Sequence, residues 1–86
     1  MKTKFNENGI MVLDFEGKNI TLGEAYYKYL STASEPNNYV YANGVDDEGK
    51  TYGVWYYADP DEINELDEID YSEPYMITDE SGKIIY

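Results

Sequence analysis

The sequence predicts an α+β domain in which an antiparallel sheet made of three hairpin units packs with two short helices. The hairpins are predicted by a four-residue pattern that begins with Asn or Asp, ends with Gly and occurs four times between runs of β-forming residues. The helices are predicted by two capping signals between the hairpins. The expected element order is β-β-β-α-β-β-α-β-β over a single domain, residues 1–86.

The four copies of the Asn/Asp-to-Gly pattern predict the turns of the sheet. Asn or Asp suits the first position of a type I turn, and Gly at the fourth position adopts the left-handed conformation that closes a hairpin with a G1 bulge. The copies lie at residues 6–9, 14–17, 46–49 and 79–82. The strands expected around them are Lys2–Phe5, 10–13, 18–21, Tyr39–Val45, 50–58, 75–78 and 83–86.

The first predicted helix covers residues 22–32. Thr21 and Glu24 have the spacing of a capping box at its start. Apolar side chains then recur at the 3.6-residue spacing of one helix face. They are Leu22, Ala25, Tyr26, Tyr29 and Leu30.

The second predicted helix begins after Asp59, which forms a capping box with Glu62. Pro60 occupies the first helical position, where proline is tolerated. Acidic residues fill most of this segment around a narrow apolar stripe that is expected to face the sheet. The stripe residues are Ile63, Leu66 and Ile69.

The charge of the chain is strongly one-sided, with 18 acidic residues, six lysines and a formal charge of −12. Ten carboxylates and no basic residue lie between Lys50 and Lys83, so i,i+4 ion pairs do not explain them. A helix over residues 61–70 would show about one negative charge per ~2.5 Å, against one per ~1.7 Å along duplex DNA. This density favours a partner with a basic surface and excludes direct binding to nucleic acids or anionic membranes.

The composition argues against catalysis and against cofactors. The chain has no His, Cys or Arg, so the usual general base, thiol nucleophile and phosphate clamp are missing. A calcium loop beginning at Asp59 would place Asn64 where glycine is needed, so we expect no metal site. The sequence shows no secretion signal and no apolar run of the ~20 residues that span a bilayer, and we expect a cytoplasmic protein in the host cell.

The middle of the chain resembles a known family. The matching elements are a strand ending in Ala42-Asn43, a turn at Asp46-Asp47-Glu48-Gly49, the Gly53-Val54-Trp55 return strand, an acidic helix start at Asp59-Pro60-Asp61-Glu62-Ile63, and Tyr75-Met76-Ile77-Thr78-Asp79. Over residues 39–79 the chain resembles the ArdA-type antirestriction proteins, whereas residues 1–38 match nothing in that family. The resemblance implies a mimic of B-form DNA that occupies the DNA groove of type I restriction-modification complexes, and it admits a homodimer.

These observations together predict a phage- or plasmid-type inhibitor of a host defence nuclease. The target class is a restriction-modification enzyme or a CRISPR effector, whose DNA-binding groove the protein would occupy competitively. The carboxylates expected to stand for phosphates are Asp59, Asp61, Glu62, Glu65, Asp67, Glu68, Asp70 and Glu73. The residues expected to make secondary contacts are Asp46, Asp47, Glu48, Tyr52 and Tyr56.

Two alternatives remain open at this point. The first is an acidic protein-interaction module, such as an immunity or adaptor protein, that binds through the aromatic side chains of its long hairpin. Those side chains are Tyr39, Tyr41, Tyr52, Trp55 and Tyr56. The second is a small carbohydrate-binding module built on the same aromatic residues.

Overall fold

The described part of the chain forms one antiparallel sheet of seven strands. The structure is a computed structural model, and it describes residues 1–58, 66 and 69–86. The strands are β1 (Lys2–Phe5), β2 (Met11–Phe15), β3 (Lys18–Leu22), β4 (Tyr26–Tyr27), β5 (Tyr39–Val45), β6 (Thr51–Tyr57) and β7 (Met76–Thr78). The predicted bounds of β1 and β5 are confirmed, and those of β2, β3, β6 and β7 differ by one or two residues.

The sheet curls into a half-barrel with strand order β1-β2-β3-β5-β6-β7, and β4 pairs with β5 as well. The curl brings β1 across to β6, where the hydroxyls of Thr3 and Tyr56 hydrogen-bond at 2.8 Å. Because side chains alternate along a strand, one set from every long strand lines the inner face of the half-barrel. The largest fully buried side chains there are Leu13, Ile20, Val40, Val54, Tyr56 and Ile77.

The predicted α+β class is wrong, because the described residues are all-β. In place of the first predicted helix, residues 22–32, the chain has the end of β3, the short strand β4 and a non-helical segment after Tyr27. Strands β3 and β4 lie one after the other along the same side of β5, with Leu22 opposite Gly44 and Tyr26 opposite Tyr41. Between them the amide of Gly23 donates to the carbonyl of Asn43 at 2.8 Å, so the pairing is almost continuous.

Tertiary pairing explains why the capping signal at Thr21 is overridden. Without β3 and β4, one side of β5 would leave its backbone N–H and C=O groups unpaired, which is costly in a buried strand. Tyr26 and Tyr27 also suit a strand as well as a helix. The expected apolar helix face does not form, since Tyr26 is 44% and Tyr29 is 62% exposed.

The second predicted helix lies largely outside the described residues, and the described part contains no helix. Of its expected apolar stripe, Ile63 lies outside the described residues, while Leu66 and Ile69 pack against the main core. Leu66, Ile69 and Tyr71 therefore cover part of the inner face of the sheet.

Three of the four predicted turns share one geometry. In the turns at 6–9, 46–49 and 79–82 the first residue accepts a hydrogen bond from the Gly amide at 3.0–3.1 Å, and each Gly has φ between 76° and 87°. The side-chain Oδ1 of each first residue also accepts amide hydrogen bonds, as Asn6 does from Asn8 and Ile10. These contacts confirm the predicted turn chemistry.

The turn at 14–17 differs from the predicted G1 bulge. Phe15 pairs directly with Lys18, so only Glu16 and Gly17 connect β2 and β3. Both have positive φ, 52° and 77°, as in a type I′ turn. Extending β2 to Phe15 allows this side chain to enter the core, where it is 6% exposed.

Of the last predicted hairpin, residues 75–78 and 83–86, only β7 is a regular strand. Residues 83–86 form an isolated bridge between Thr78 and Ile84, and the Ile77 amide donates to the carbonyl of Tyr86 at 3.0 Å. The Tyr86 ring then meets Phe15 edge-on at 6.1 Å. The end of the chain therefore closes over one end of the half-barrel.

Candidate partner-binding surfaces

Most of the predicted phosphate-mimicking carboxylates lie outside the described residues. These are Asp59, Asp61, Glu62, Glu65, Asp67 and Glu68. Asp70 and Glu73 are described and exposed. Hydrogen bonds from the side chain and backbone of Ser72 lower the pKa of Asp70, and Glu73 Oε1 accepts from the hydroxyl of Tyr86 at 2.6 Å.

Apolar residues attach both ends of the acidic stretch, defined as residues 59–70, to the sheet. Ala58 is fully buried where the stretch begins, and its amide donates to the Asn38 carbonyl at 2.7 Å. At the other end, Ile69 and Tyr71 are 5% and 8% exposed. Asp70 is exposed between these two buried neighbours, so the backbone is anchored while the carboxylate remains in solvent.

A second concentration of charge lies at one end of the half-barrel, here called the turn end and defined as residues 14–18, 46–50 and 79–83. Each segment reads Asp, two residues, Gly, Lys, and together they carry seven carboxylates and three lysines. They enclose a crevice of about 320 Å³ whose walls include Glu16, Lys18, Lys50 and Glu80. The half-barrel therefore gathers acids that are distant in the sequence.

Asp46 is the buried member of the turn end, with 7% exposure. Its Oδ2 accepts from the Tyr52 hydroxyl at 2.8 Å, and its Oδ1 accepts from the amides of Glu48 and Lys50. Desolvation opposes ionisation, but these hydrogen bonds and the charge of Lys18 outweigh it and lower the pKa of Asp46. The hydrogen bond to the carboxylate raises the pKa of Tyr52 to about 12.

The five predicted secondary-contact residues divide between surface and interior. Asp47 and Glu48 are exposed in the turn, whereas the carboxylate of Asp46 is hydrogen-bonded to turn amides and to the Tyr52 hydroxyl. Tyr52 and Tyr56 are 6% and 0% exposed on the inner face, and burial raises the pKa of Tyr56 to about 12. Neither ring lies on the surface.

The negative charge is not neutralised within the fold. Among the described residues no lysine ammonium lies within the 4.0 Å of a carboxylate oxygen that defines an ion pair. All six lysines belong to this part of the chain, and Lys18 and Lys83 act on Asp46 and Asp79 from beyond ion-pair distance. Such a surface attracts basic partners over distances of about a Debye length, ~8–10 Å in physiological salt.

The face of the β5–β6 hairpin that points away from the core is rich in aromatic side chains. We call it the outer aromatic face and define it as Tyr26, Tyr39, Tyr41, Trp55, Tyr57 and Tyr75. The strand register puts Tyr39 beside Tyr57 and Tyr41 beside Trp55. Ring centroids lie 5.6 Å apart for Tyr39 and Tyr57 and 4.8 Å apart for Tyr41 and Trp55. Tyr26 meets Tyr41 at 5.7 Å, so one row of edge-to-face rings crosses three strands.

The outer aromatic face is exposed at its margins and closed at its centre. Tyr26, Tyr57 and Tyr75 are 44%, 46% and 51% exposed. Trp55 and Tyr39 are buried beneath Leu30 in a small second cluster. Burial, together with a hydrogen bond to Tyr75, raises the pKa of Tyr39 to about 12.

Three polar features distinguish this face from an ordinary apolar patch. The ammonium of Lys28 lies 4.3 Å from the ring centroid of Tyr41 and 5.7 Å from that of Trp55. The indole Nε1 of Trp55 is buried without a hydrogen-bond partner. Glu35 stands at the margin and accepts from the Tyr57 hydroxyl at 3.2 Å.

Sequence reasoning treated the hairpin aromatics as one set and did not include Tyr26, Tyr57, Tyr75 or Lys28 in the site. The turn at 46–49 could have indicated the division, because it fixes the register of β5 and β6. In that register, residues 39, 41, 55 and 57 lie on one face of the hairpin, and residues 52, 54 and 56 lie on the other. Tyr26 joins the set only through the pairing of β4 with β5, which has no local signal.

The described residues provide neither a candidate metal site nor a candidate membrane-spanning helix. They contain no group of three or more His, Cys, Asp or Glu side chains placed to hold a metal ion. No helix in the same residues is long and apolar enough to cross a membrane.

Comparison of the chain with protein-family models, with curated proteins and with solved structures finds no match. The resemblance to the ArdA-type antirestriction proteins therefore rests on the motif residues between 39 and 79 alone.

Proposed function

We propose that the protein is a DNA-mimicking inhibitor of a host defence nuclease, either a restriction-modification enzyme or a CRISPR effector. It occupies the DNA-binding groove of the enzyme in place of the duplex. Its carboxylates take the positions of phosphates, and counterions released from both partners contribute to the free energy of binding.

The observation that carries this proposal is the uncompensated charge. The chain has a formal charge of −12, and within the described residues no lysine forms an ion pair with a carboxylate. Self-repulsion of this kind destabilises a small domain, so an arrangement that retains it is accounted for by a basic partner. The groove of an enzyme that binds DNA is such a surface.

The acidic stretch and the turn end provide two anionic regions on one small fold. The stretch is anchored by Ala58, Ile69 and Tyr71, so its ends are held against a rigid sheet. The turn end adds exposed Asp47, Glu48 and Glu80 from segments far apart in the sequence. The motif resemblance over residues 39–79 supports a type I restriction-modification enzyme as the first target to examine.

Charge reversal tests the acidic stretch directly. Replacing Asp61, Glu62, Glu65 and Glu68 by Lys is expected to abolish inhibition of DNA cleavage in an assay with purified nuclease. A single reversal is expected to have little effect, because an exposed charge pair contributes only about 0.2–1 kcal/mol. Circular dichroism and urea unfolding report whether the variant remains folded.

The matched control changes the net charge equally at other positions. It replaces Glu7, Glu24, Asn8, Asn19, Ser31 and Thr32 by Lys, which are all exposed and lie outside both the acidic stretch and the turn end. This variant is expected to retain most of the inhibition. Equal inhibition by both variants would show that the acidic stretch is not the contact.

Competition and salt dependence test the mimicry itself. Duplex DNA is expected to displace the protein from its target, and raising salt from ~50 to ~200 mM is expected to weaken binding steeply. Simultaneous binding of DNA and inhibitor to the enzyme would contradict competitive occupancy.

The outer aromatic face favours a second candidate, an acidic protein-interaction module of the immunity or adaptor type. Three tyrosines of this face are between 44% and 51% exposed, and aromatic side chains of this kind are enriched at protein interfaces. Such a module would hold its partner mainly by apolar burial, with the acids steering the encounter. DNA would then not displace it.

A further inference from the structure

We infer that the outer aromatic face is a docking surface for an arginine-bearing segment of a protein partner. The partner's guanidinium group takes the place over Tyr41 and Trp55 that Lys28 occupies in the free protein. This surface contains none of the residues of the acidic stretch, and the inference does not require that the partner bind DNA.

The first argument is that these rings already hold a cation. The Lys28 ammonium lies 4.3 Å from the centroid of Tyr41, within the ~6 Å at which ring quadrupoles attract cations. The backbone amide of Lys28 donates to the Tyr39 carbonyl at 3.1 Å, so the residue is held beside the rings while its side chain is exposed. The chain thus supplies its own occupant for a cation site.

The second argument is that an external guanidinium is the better ligand for this geometry. Guanidinium is planar, stacks on aromatic rings and is more weakly hydrated than ammonium. The exposed ring of Tyr26 lies 5.7 Å from the ring of Tyr41 and widens the stacking surface beside Lys28. Displaced Lys28 returns to water without leaving a buried charge unpaired.

The third argument is charge complementarity at the margin. Glu35 lies next to Tyr39 and Tyr57, and its Oε2 accepts hydrogen bonds from Asn38 at 2.8 Å and from Tyr57 at 3.2 Å. A carboxylate fixed in this way can receive a guanidinium that extends beyond the rings. The formal charge of −12 attracts basic segments to all parts of the molecule, and the rings select arginine among them.

Trp55 provides a reporter for this surface. Its ring centroid lies 5.7 Å from the Lys28 ammonium, and its side chain packs with Leu30 and Tyr39. The Nε1–H is buried and, like a guanidinium, only donates hydrogen bonds, so the partner contacts the ring and not this atom. Because Trp55 is the one tryptophan of the chain, its fluorescence and its indole NMR signal report on this surface alone.

The experiment titrates the protein with an oligoarginine peptide and an oligolysine peptide of equal length. The arginine peptide is expected to shift the indole signal and quench the fluorescence of Trp55, and to bind several-fold more tightly than the lysine peptide. Lys28→Met removes the internal occupant and is expected to tighten binding about two- to fivefold.

Neighbouring tyrosines provide a matched pair of variants. Tyr26 and Tyr27 are 44% and 43% exposed and point to opposite faces of β4. Tyr26→Ala is expected to weaken binding of the arginine peptide about tenfold, as for an aromatic hot spot, and Tyr27→Ala is expected to change it little.

Four results would overturn the inference. They are an indole signal that does not respond to the arginine peptide, equal effects of Tyr26→Ala and Tyr27→Ala, a response that depends only on the concentration of the protein itself, and a response to neutral oligosaccharide in place of the peptide. The third would assign the face to a second copy of the chain and the fourth to a carbohydrate. None of the four bears on DNA competition at the acidic stretch, so the two proposals fail separately.

Discussion

The two faces of the β5–β6 hairpin both carry aromatic side chains but differ in how far the rings are enclosed. On the inner face, the rings of Tyr52 and Tyr56 are buried, and their hydroxyls bond to Asp46 and Thr3. On the outer face, the Tyr41 hydroxyl bonds to Asn43, but the ring is only partly buried and lies against the ammonium of Lys28. The inner rings are therefore enclosed by the fold, whereas ring surface on the outer face remains accessible to a partner.

The difference teaches that aromatic content alone does not define an interface. Tyr52 and Tyr56 were expected to make contacts with a partner, but they are buried by the curl of the sheet. Tyr26, Tyr57 and Tyr75 remain exposed because no strand or loop among the described residues covers them fully. Variants that treat the two faces separately test this division.

Truncation of Tyr56 is expected to have the largest effect. Tyr56→Ala removes a fully buried ring and its hydrogen bond, and a loss of about 3–5 kcal/mol in the free energy of unfolding is expected. Urea denaturation measures it. The control is Tyr57→Ala, the next residue on the outer face, for which a loss of about 1 kcal/mol is expected. Similar losses at the two positions would remove the distinction between the faces.

Adding one methyl group to each face compares their packing. A Cβ at Gly44 would meet the buried side chains of Ile20 and Leu22, and we expect Gly44→Ala to lower stability by about 1–3 kcal/mol. A Cβ at Gly53 would meet the ends of the Tyr41 and Thr78 side chains, which are partly exposed and able to shift. Gly53→Ala is therefore expected to be milder. Thermal unfolding measures both, and a larger loss at Gly53 would mean that the outer face is the more tightly packed.

Removing the Tyr56 hydroxyl isolates its hydrogen bond. Tyr56→Phe is expected to lower the free energy of unfolding by about 1 kcal/mol, because the buried Thr3 hydroxyl loses its partner. The double variant with Thr3→Val is expected to recover part of this loss, since no unpaired group then remains. Additive losses in a double-mutant cycle would contradict a direct bond between β1 and β6.

The smallest expected effect on the free energy of unfolding comes from the hydrogen bond between Tyr52 and Asp46, and it depends on pH. The folded state raises the pKa of Tyr52 from 10.0 to about 12, so it favours the protonated phenol. The resulting stabilisation is complete below pH 10.0 and is lost as pH rises towards about 12. Tyr52→Phe is expected to be less stable than the parent at neutral pH, and this difference is expected to close over that window.

Urea unfolding across the alkaline range measures the pH dependence of the Tyr52 contribution. The matched control is Tyr26→Phe, since Tyr26 lies on the outer face. A constant difference between the Tyr52→Phe variant and the parent at all pH values would show that the hydroxyl does not bond to an ionised carboxylate.

Local chemistry explains which parts of the fold were predictable. The turns at 6–9, 46–49 and 79–82 have the predicted form because Asn or Asp and Gly satisfy the backbone within four residues. The bounds of β5 and β6 then follow from the alternation of residues around the turn at 46–49. At 14–17 the same residue types produce a type I′ turn, because Phe15 is drawn into the core.

Long-range strand pairing explains why the prediction of a helix at residues 22–32 is wrong. Residues 22–32 follow a capping signal at Thr21 and have a helical spacing of apolar residues, yet they contain the end of β3, the whole of β4 and a non-helical segment. The deciding partner is β5, which begins more than ten residues after β4 ends, and no pattern within 22–32 contains it. The candidate site could not be predicted in full for the same reason. The turn end and the row of rings from Tyr26 to Trp55 both form only when strands distant in sequence become neighbours in the sheet.

The amino-acid sequence by itself determined the excess of negative charge, the absence of cysteine and histidine chemistry, and the hairpin turns, because each of these follows from composition or from a few adjacent residues. Tertiary structure alone decided that the sheet curls, that Tyr52 and Tyr56 point inward, and that Lys28 lies over Tyr41. The physical reason is that backbone groups and rings at different points of the chain compete for the same partners, and only the folded arrangement shows which pairs form.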